Sequence, residues 1–229
     1  MVLRIGHRGA SGEKKENTIE AFQRAVELKC DWIELDVRIT DFDELVICHD
    51  ETIFDKNHYY FISRIRKNDI SLFGLCTLDE VLDKFLNKIN INIEIKTAKD
   101  PKRNERMAYL IGKKLDIYKK KYGLSAKSVL ISSFNHELVS IAHKYIHNVD
   151  FGFLFSSIPL FWKHYINHAR FSHFIFDKSI LDKDMVSKLK AKDIKIWVFT
   201  CNKSWEIDEF IKLGVDGIIS NYPDKIKKY

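Results

Sequence analysis

The chain has 229 residues, 45% of them hydrophobic and 31% charged, with only three prolines and nine glycines. This is enough material for a sizeable core, and it argues against a membrane-embedded chain, a disordered chain and long flexible linkers. The net charge of +6 is carried mainly by lysines scattered over helix-like stretches such as 112–123; without an arginine-rich arm or an aromatic-plus-basic signature, no nucleic-acid partner is expected.

In chain order, a first short strand is predicted over 2–6 and an amphipathic helix over 17–29, capped by Asn17 or Thr18 with Glu20 in its first turn. A strand over 31–37 and an extended run over 44–50 follow, then a helix over 77–86 and a strand over 91–97. A long helix over 101–123 begins at a proline, which suits the first helical position. Strands are then predicted over 128–134, 149–155, 171–177, 195–200 and 214–220. Between them lie helices over 136–145, 159–169, 182–193 and 204–214. About eight β/α units without an internal repeat predict a parallel sheet, and their number in this length suits a (β/α)₈ barrel as one catalytic domain over 1–229. A dinucleotide-binding sheet is disfavoured because no G-x-G-x-x-G follows the first strand. At most a very small insertion is expected after the second strand.

The strand faces carry the chemistry. In 31–37, Ile33, Leu35 and Val37 share one face, and Trp32, Glu34 and Asp36 the other. In 91–97, Ile91, Ile93 and Ile95 oppose Asn92, Glu94 and Lys96. A barrel turns the second face inward, and burying three carboxylates costs several kcal/mol each unless they are paired or hold a cation. Glu34, Asp36 and Glu94 are hard oxygen donors suited to Ca²⁺ or Mg²⁺; the competing reading is a wet, polar strand edge. His7 and His49 each end an apolar run. Alone, such a histidine is more often structural, but two of them facing one substrate make an acid/base pair. Arg8 offers a planar fork for phosphate, and Lys96 can balance charge or grip an anion.

Together these residues resemble the glycerophosphodiester phosphodiesterase family. The marks occur in order: His7-Arg8-Gly9, Glu16-Asn17-Thr18 with Ala21-Phe22, Glu34-Leu35-Asp36, His49-Asp50 and Glu94-Ile95-Lys96. Weaker marks follow at 130–134, 195–202 and 214–224, so the likeness covers almost the whole chain. Each motif alone is weak; the ordered set is highly specific. The resemblance implies a (β/α)₈ barrel and metal-dependent hydrolysis of glycerophosphodiesters to an alcohol and glycerol 3-phosphate. It implies His7 and His49 as the acid/base pair and Glu34, Asp36 and Glu94 as ligands of a divalent cation. It further implies phosphate contacts from Arg8 and Lys96, with Glu16 and Asn17 standing behind or beside the metal.

Two departures bear on the loops. Lys15 precedes Glu16 where the family usually has proline, and 40–45 carries Phe42 and Asp43 in place of the usual D-G. The latter turn leads directly to His49. Residues 57–65 are unusually aromatic and lie where the family often carries a small inserted subdomain, so selectivity is expected to differ there.

Other features fit bland readings. Cys30, Cys48, Cys76 and Cys201 are widely spaced, as reduced thiols of a cytosolic protein are, and Cys48 points away from His49 by alternation. No signal-peptide core and no run of eighteen apolar residues occurs, which makes the cytoplasm the default location. His143/His147 and His164/His168 share the i,i+4 spacing of zinc ligands but lack the accompanying glutamate, so they are read as surface residues. Ser132 and Ser133 lack a nucleophile elbow. The aromatic stretch 151–166 is read as core, or alternatively as an apolar lip of Phe155, Leu160, Phe161 and Trp162 for an acyl chain or weak membrane-surface contact. Trp197, at the end of the seventh predicted strand, is a candidate wall of the alcohol pocket. A lysophospholipase D type activity and a catalytically silent phosphate- or membrane-binding module stand as alternatives. The head group, the choice of acid and base, and the oligomeric state are left open.

Overall fold

The face alternation read from the sequence is the alternation the fold uses. In the computed structural model, which describes residues 1–123, 128–160, 162 and 171–227, Ile33, Leu35, Val37, Ile91, Ile93 and Ile95 all lie in the apolar layer beneath the helices. Their polar neighbours Glu34, Asp36, Asn92 and Glu94 are buried on the opposite face.

The elements run β1 (Leu3–Gly6), α1 (Ile19–Glu27), β2 (Trp32–Ile39), β3 (Leu45–Ile47), β4 (Thr52–Asp55), β5 (His58–Phe61), β6 (Cys76–Thr77), α2 (Leu78–Phe85), β7 (Asn90–Ile95) and α3 (Pro101–Tyr122). They continue with β8 (Val129–Ser133), α4 (His136–Tyr145), β9 (Asp150–Phe155), β10 (His173–Asp177), α5 (Lys183–Lys190), β11 (Lys195–Phe199), α6 (Ser204–Leu213) and β12 (Gly217–Ser220). Strands β1, β2 and β7 to β12 pair in parallel, and β1 bonds to both β2 and β12, so the sheet closes into an eight-stranded barrel. Local signals start and stop the helices. Thr18 caps α1 by accepting from Ala21 N, Thr77 and Glu80 form a capping box on α2, and Asp100 caps α3 ahead of Pro101.

The barrel interior is divided by height. Ile5, Trp32, Leu130, Leu154, Ile175, Trp197 and Ile219 form a separate apolar cluster inside the ring. Trp197 meets Trp32 edge-to-face with centroids 5.2 Å apart, and His173 lies 5.1 Å from the same indole. The carboxylates stand above this floor, at the strands' C-terminal ends, where barrels of this kind carry their sites.

Residues 40–77 leave the barrel after β2 and return at α2. They hold more regular structure than expected of so short an insertion. β3 pairs antiparallel with β2, and β6 antiparallel with β3, so the excursion leaves and re-enters by neighbouring strands. β4 and β5 form a hairpin whose two turn residues, Lys56 and Asn57, both have positive φ, the geometry that matches strand twist. Val46, Cys48, Ile62, Ile65 and Ile70 give the insertion a small core of its own, which accounts for the buried Cys48. The turn at 40–45 is closed by its own side chain. Thr40 Oγ1 accepts from the backbone N–H groups of Phe42 and Glu44, and Asp43 takes the left-handed conformation at φ 63°.

The segment offered as an apolar lip divides. Phe155 belongs to the core, stacked on Phe176 at 4.9 Å, and Trp162 is half-buried against the core, whereas Leu160 is exposed. Phe161 lies outside the described residues. Among the described residues no helix is long and apolar enough to cross a membrane.

Candidate active site

The turn after β1 aims the first two site residues. Arg8 and Gly9 both have positive φ, and a Cβ on Gly9 would meet the Ala21 backbone at 2.6 Å, so only glycine lets this turn pass under α1. The Arg8 backbone N–H donates to Glu34 Oε2 at 2.8 Å, which ties the turn to β2. The Arg8 guanidinium reaches Glu16 Oε1 at 2.8 Å and Asp36 Oδ2 at 3.2 Å. His7 is half-buried, with its Nδ1 2.6 Å from Asn221 Oδ1.

Glu34, Asp36 and Glu94 come from the adjacent strands β2 and β7, with Asp36 and Glu94 directly opposite in register. Each offers an oxygen, and these oxygens lie within 4.8 Å of one another. Asn17 braces Asp36 from both sides: its Nδ2 donates to Oδ2 at 2.8 Å, and its Oδ1 accepts from the Asp36 backbone N–H at 3.3 Å. Lys96 Nζ donates to Glu94 Oε1 at 2.6 Å and lies 3.4 Å from Asp36 Oδ1. Glu34 Oε1 and Asp36 Oδ1 are buried without a hydrogen bond. Two orphaned buried oxygens within a three-carboxylate set, all hard donors, fit a divalent cation of the calcium or magnesium kind.

The electrostatics express the same crowding. Burial, with the charges of Asp36 and Glu94, pushes the Glu34 carboxyl well above its usual range. Burial and Asp36 raise Glu94 to about 7. For Asp36, burial pushes upward but Lys96 and Arg8 outweigh it, and the net shift is downward. Burial and the neighbouring Arg8 charge hold the His7 imidazole below its ordinary value.

His49 arrives by an unexpected route. It follows β3, which runs antiparallel to β2 and so brings the chain back down toward the barrel mouth. Its carbonyl accepts from Arg38 Nε and Nη2 at 2.8 and 2.6 Å, and its Nδ1 lies 2.7 Å from Asp50 Oδ1. His7, Arg8, Glu34, His49, Glu94 and Lys96 then line one cavity of about 320 Å³ at the barrel mouth. Glu16 and Asn17 stand behind it, in contact with Arg8 and Asp36.

Trp197 is corrected. It is fully buried in the barrel floor, and the cavity wall on β11 is Phe199, one inward position further along. A Cβ on Gly217 would meet the Trp197 ring at 2.6 Å, so the neighbouring strand is shaped around this indole.

The cavity also holds residues that the sequence reading did not select: Asn92, Phe134, Asp177, Lys178 and Thr200. Asp177 and Lys178 end the sixth barrel strand, so a charged pair after an apolar strand was the available signal. Asn221, the partner of His7, sits in the late mark at 214–224. Ser132 donates to Asn92 and Ser133 to the Ile95 carbonyl, bonds that stabilise the sheet. His143 packs against Phe151 and Phe171, and His164 and His168 lie outside the described residues.

Residues 7–225 match the model of the glycerophosphoryl diester phosphodiesterase family. The chain belongs to that family. Among curated relatives, a glycerophosphodiester phosphodiesterase of Caldanaerobacter subterraneus is 32% identical, over 98% of this chain and 96% of its own length. The human lysophospholipase D GDPD1 is 25% identical, over 98% of this chain and 85% of its own. Among solved structures, a phosphodiesterase of Oleispira antarctica in complex with the product sn-glycerol 3-phosphate superposes with a TM-score of 0.85 at 25% identity, covering 97% of this chain and 94% of that one. The phosphodiesterase family fold is thus the barrel described above.

Proposed function

We propose that the chain is one catalytic unit that hydrolyses glycerophosphodiesters to an alcohol and glycerol 3-phosphate. The observation that carries this reading is the single cavity lined by His7, His49, Glu34, Glu94 and Lys96, with Asp36 completing the carboxylate set. The product held by the Oleispira relative supports the same substrate class. Glu34, Asp36 and Glu94 would hold a divalent cation, which supplies a positive charge that offsets the phosphodiester's own and so admits a nucleophile.

The chain's residues account for the rest. Asn221 accepts from His7 Nδ1, which leaves Nε2 as the lone-pair nitrogen, and a depressed pKa keeps that imidazole neutral near pH 7. His7 is therefore proposed as the proton acceptor from the nucleophile, either water or the neighbouring glycerol hydroxyl. His49, oriented by Asp50 and Arg38, returns a proton to the leaving alcohol as the P–O bond breaks. Arg8 and Lys96 contact phosphate oxygens from the cavity wall.

A second reading, cleavage of lysophospholipids at a membrane surface, is favoured by one observation. The insertion exposes Phe54, Tyr59 and Phe61 on the hairpin. The test is release of glycerol 3-phosphate from glycerophosphocholine and glycerophosphoethanolamine with Ca²⁺, with Mg²⁺ and with chelator, alongside His7→Ala and Glu34→Ala. Metal-dependent product lost in both variants is expected. Lysophosphatidic acid released from lysophospholipids, with no glycerol 3-phosphate from the diesters, would move the assignment to the second reading, and no product from either set would overturn both.

A further inference from the structure

A second cavity, of about 280 Å³, lies beside the first and shares Lys96 with it. Its walls come from the end of β2, the insertion and the start of α3, and it is lined by Arg38, Arg64, Lys99 and Arg103. Asp41, Glu51 and Asp100 also line it, but each is engaged: Asp41 lies 3.9 Å from Arg103, Glu51 lies 3.5 Å from Lys99, and Asp100 caps α3. Arg38 and Arg64 have no carboxylate partner among the described residues. Arg38 bonds only to the His49 carbonyl, and Arg64 rests over the Phe61 ring at 5.6 Å. Arg103 is flanked by Asp41, 3.9 Å from its Nη2, and by Asp43, 3.6 Å from its Nη1, and its buried Nη2 makes no hydrogen bond. Two arginines without carboxylate partners, gathered on one cavity beside an Arg103 N–H that makes no hydrogen bond, form a site for an anion.

We infer that this cavity recognises a second anionic group, carboxylate or phosphate, on the leaving alcohol of the diester. The inference rests on the phosphodiesterase reading and adds the substrate class. The glycerol arm carries no charge for arginines to recognise, so the arm that passes His49 to reach them is the alcohol. Arg38 holds the His49 carbonyl while facing this cavity, so an anion bound there sits against the group that positions His49.

Glycerophosphoserine and glycerophosphoethanolamine differ by one carboxylate, and glycerophosphoinositol 4-phosphate and glycerophosphoinositol by one phosphate. The metal-loaded enzyme is expected to favour the anionic member of a pair by about tenfold in kcat/KM, the size of one charge-assisted contact. Arg64→Ala, at an exposed position, is expected to abolish that ratio, and Arg64→Lys to restore part of it. Equal kcat/KM within both pairs, or a ratio untouched by Arg64→Ala, would overturn the inference. Calorimetric binding of the same pairs keeps the two readings separate. If no diester is cleaved but the anionic member binds more tightly and loses that advantage in Arg64→Ala, the subsite stands and the catalytic reading falls.

Discussion

The floor and the mouth of this barrel are built by the same eight strands, from the same inward-facing positions, and they are opposites. At the floor, Trp32 and Trp197 close the ring with apolar contacts, and burial drives the pKa of His173 down to about 4 so that it stays neutral. At the mouth, two pleats higher on β2, three carboxylates and two cations share a space in which Glu34 Oε1 has no protein partner. The floor serves the folded state, with the Trp197 indole N–H as its unpaired polar atom. The mouth leaves charge unsatisfied where the proposed substrate and cation would enter.

The sharpest way to break this contrast is at Glu34. Glu34→Gln is expected to lower kcat/KM by at least about a thousandfold, because it removes one ligand of the proposed cation site. The same change is expected to raise the melting temperature of metal-free protein by a few degrees, since it relieves like-charge crowding. A melting temperature that falls instead would show that Glu34 supports the fold. Trp197→Ala is the mirror experiment. It should cost about 3–5 kcal/mol in denaturant unfolding, while activity per folded molecule stays near wild type. A large loss of kcat in the folded fraction would return Trp197 to the substrate pocket.

The two regions also answer pH differently. The folded-state pKa of His173 is depressed, so its contribution to stability is fully present above about pH 6.5 and is lost as pH falls toward 4. With a shift of this size the loss is on the order of 3 kcal/mol, and His173→Phe should flatten that limb of the stability profile. Glu94 is raised to about 7, so its sign is reversed: it favours the metal-free fold at low pH and is lost as pH climbs through 7. Added Ca²⁺ or Mg²⁺ should therefore stabilise the protein more at pH 8 than at pH 5.5, as thermal melts with and without chelator can test. The smallest expected effect is at the second layer. Asn221→Ala removes the acceptor from His7 Nδ1 and should lower kcat roughly tenfold with little change in KM, shifting the basic-group limb of the pH–rate profile.

Much of the mouth was legible because charge on one face of a strand is a strong signal. Glu34, Asp36 and Glu94 announced their own direction through the isoleucines and leucines between them. Height within the barrel was not legible. Trp197 and Phe199 share a face, and nothing in a period of two says which is buried in the floor and which reaches the cavity. Strand direction was hidden for the same reason: the run before His49 alternates equally well whether it continues the parallel ring or, as β3 does, folds back on β2. The role of Arg38 depends on its contact with His49, a segment away, and no local pattern marks it.

The return of the chain through β3 has a further consequence. The excursion departs and rejoins by adjacent strands, carries its own small core, and supplies His49 at its near end and Arg64 to the wall of the second cavity. A gene fragment encoding residues 51–75 could therefore be exchanged between relatives as a cassette that leaves His49 and Asp50 in place. His49 and the barrel's share of both cavities would be inherited unchanged, while the aromatic hairpin and Arg64 diversified on a separate evolutionary clock.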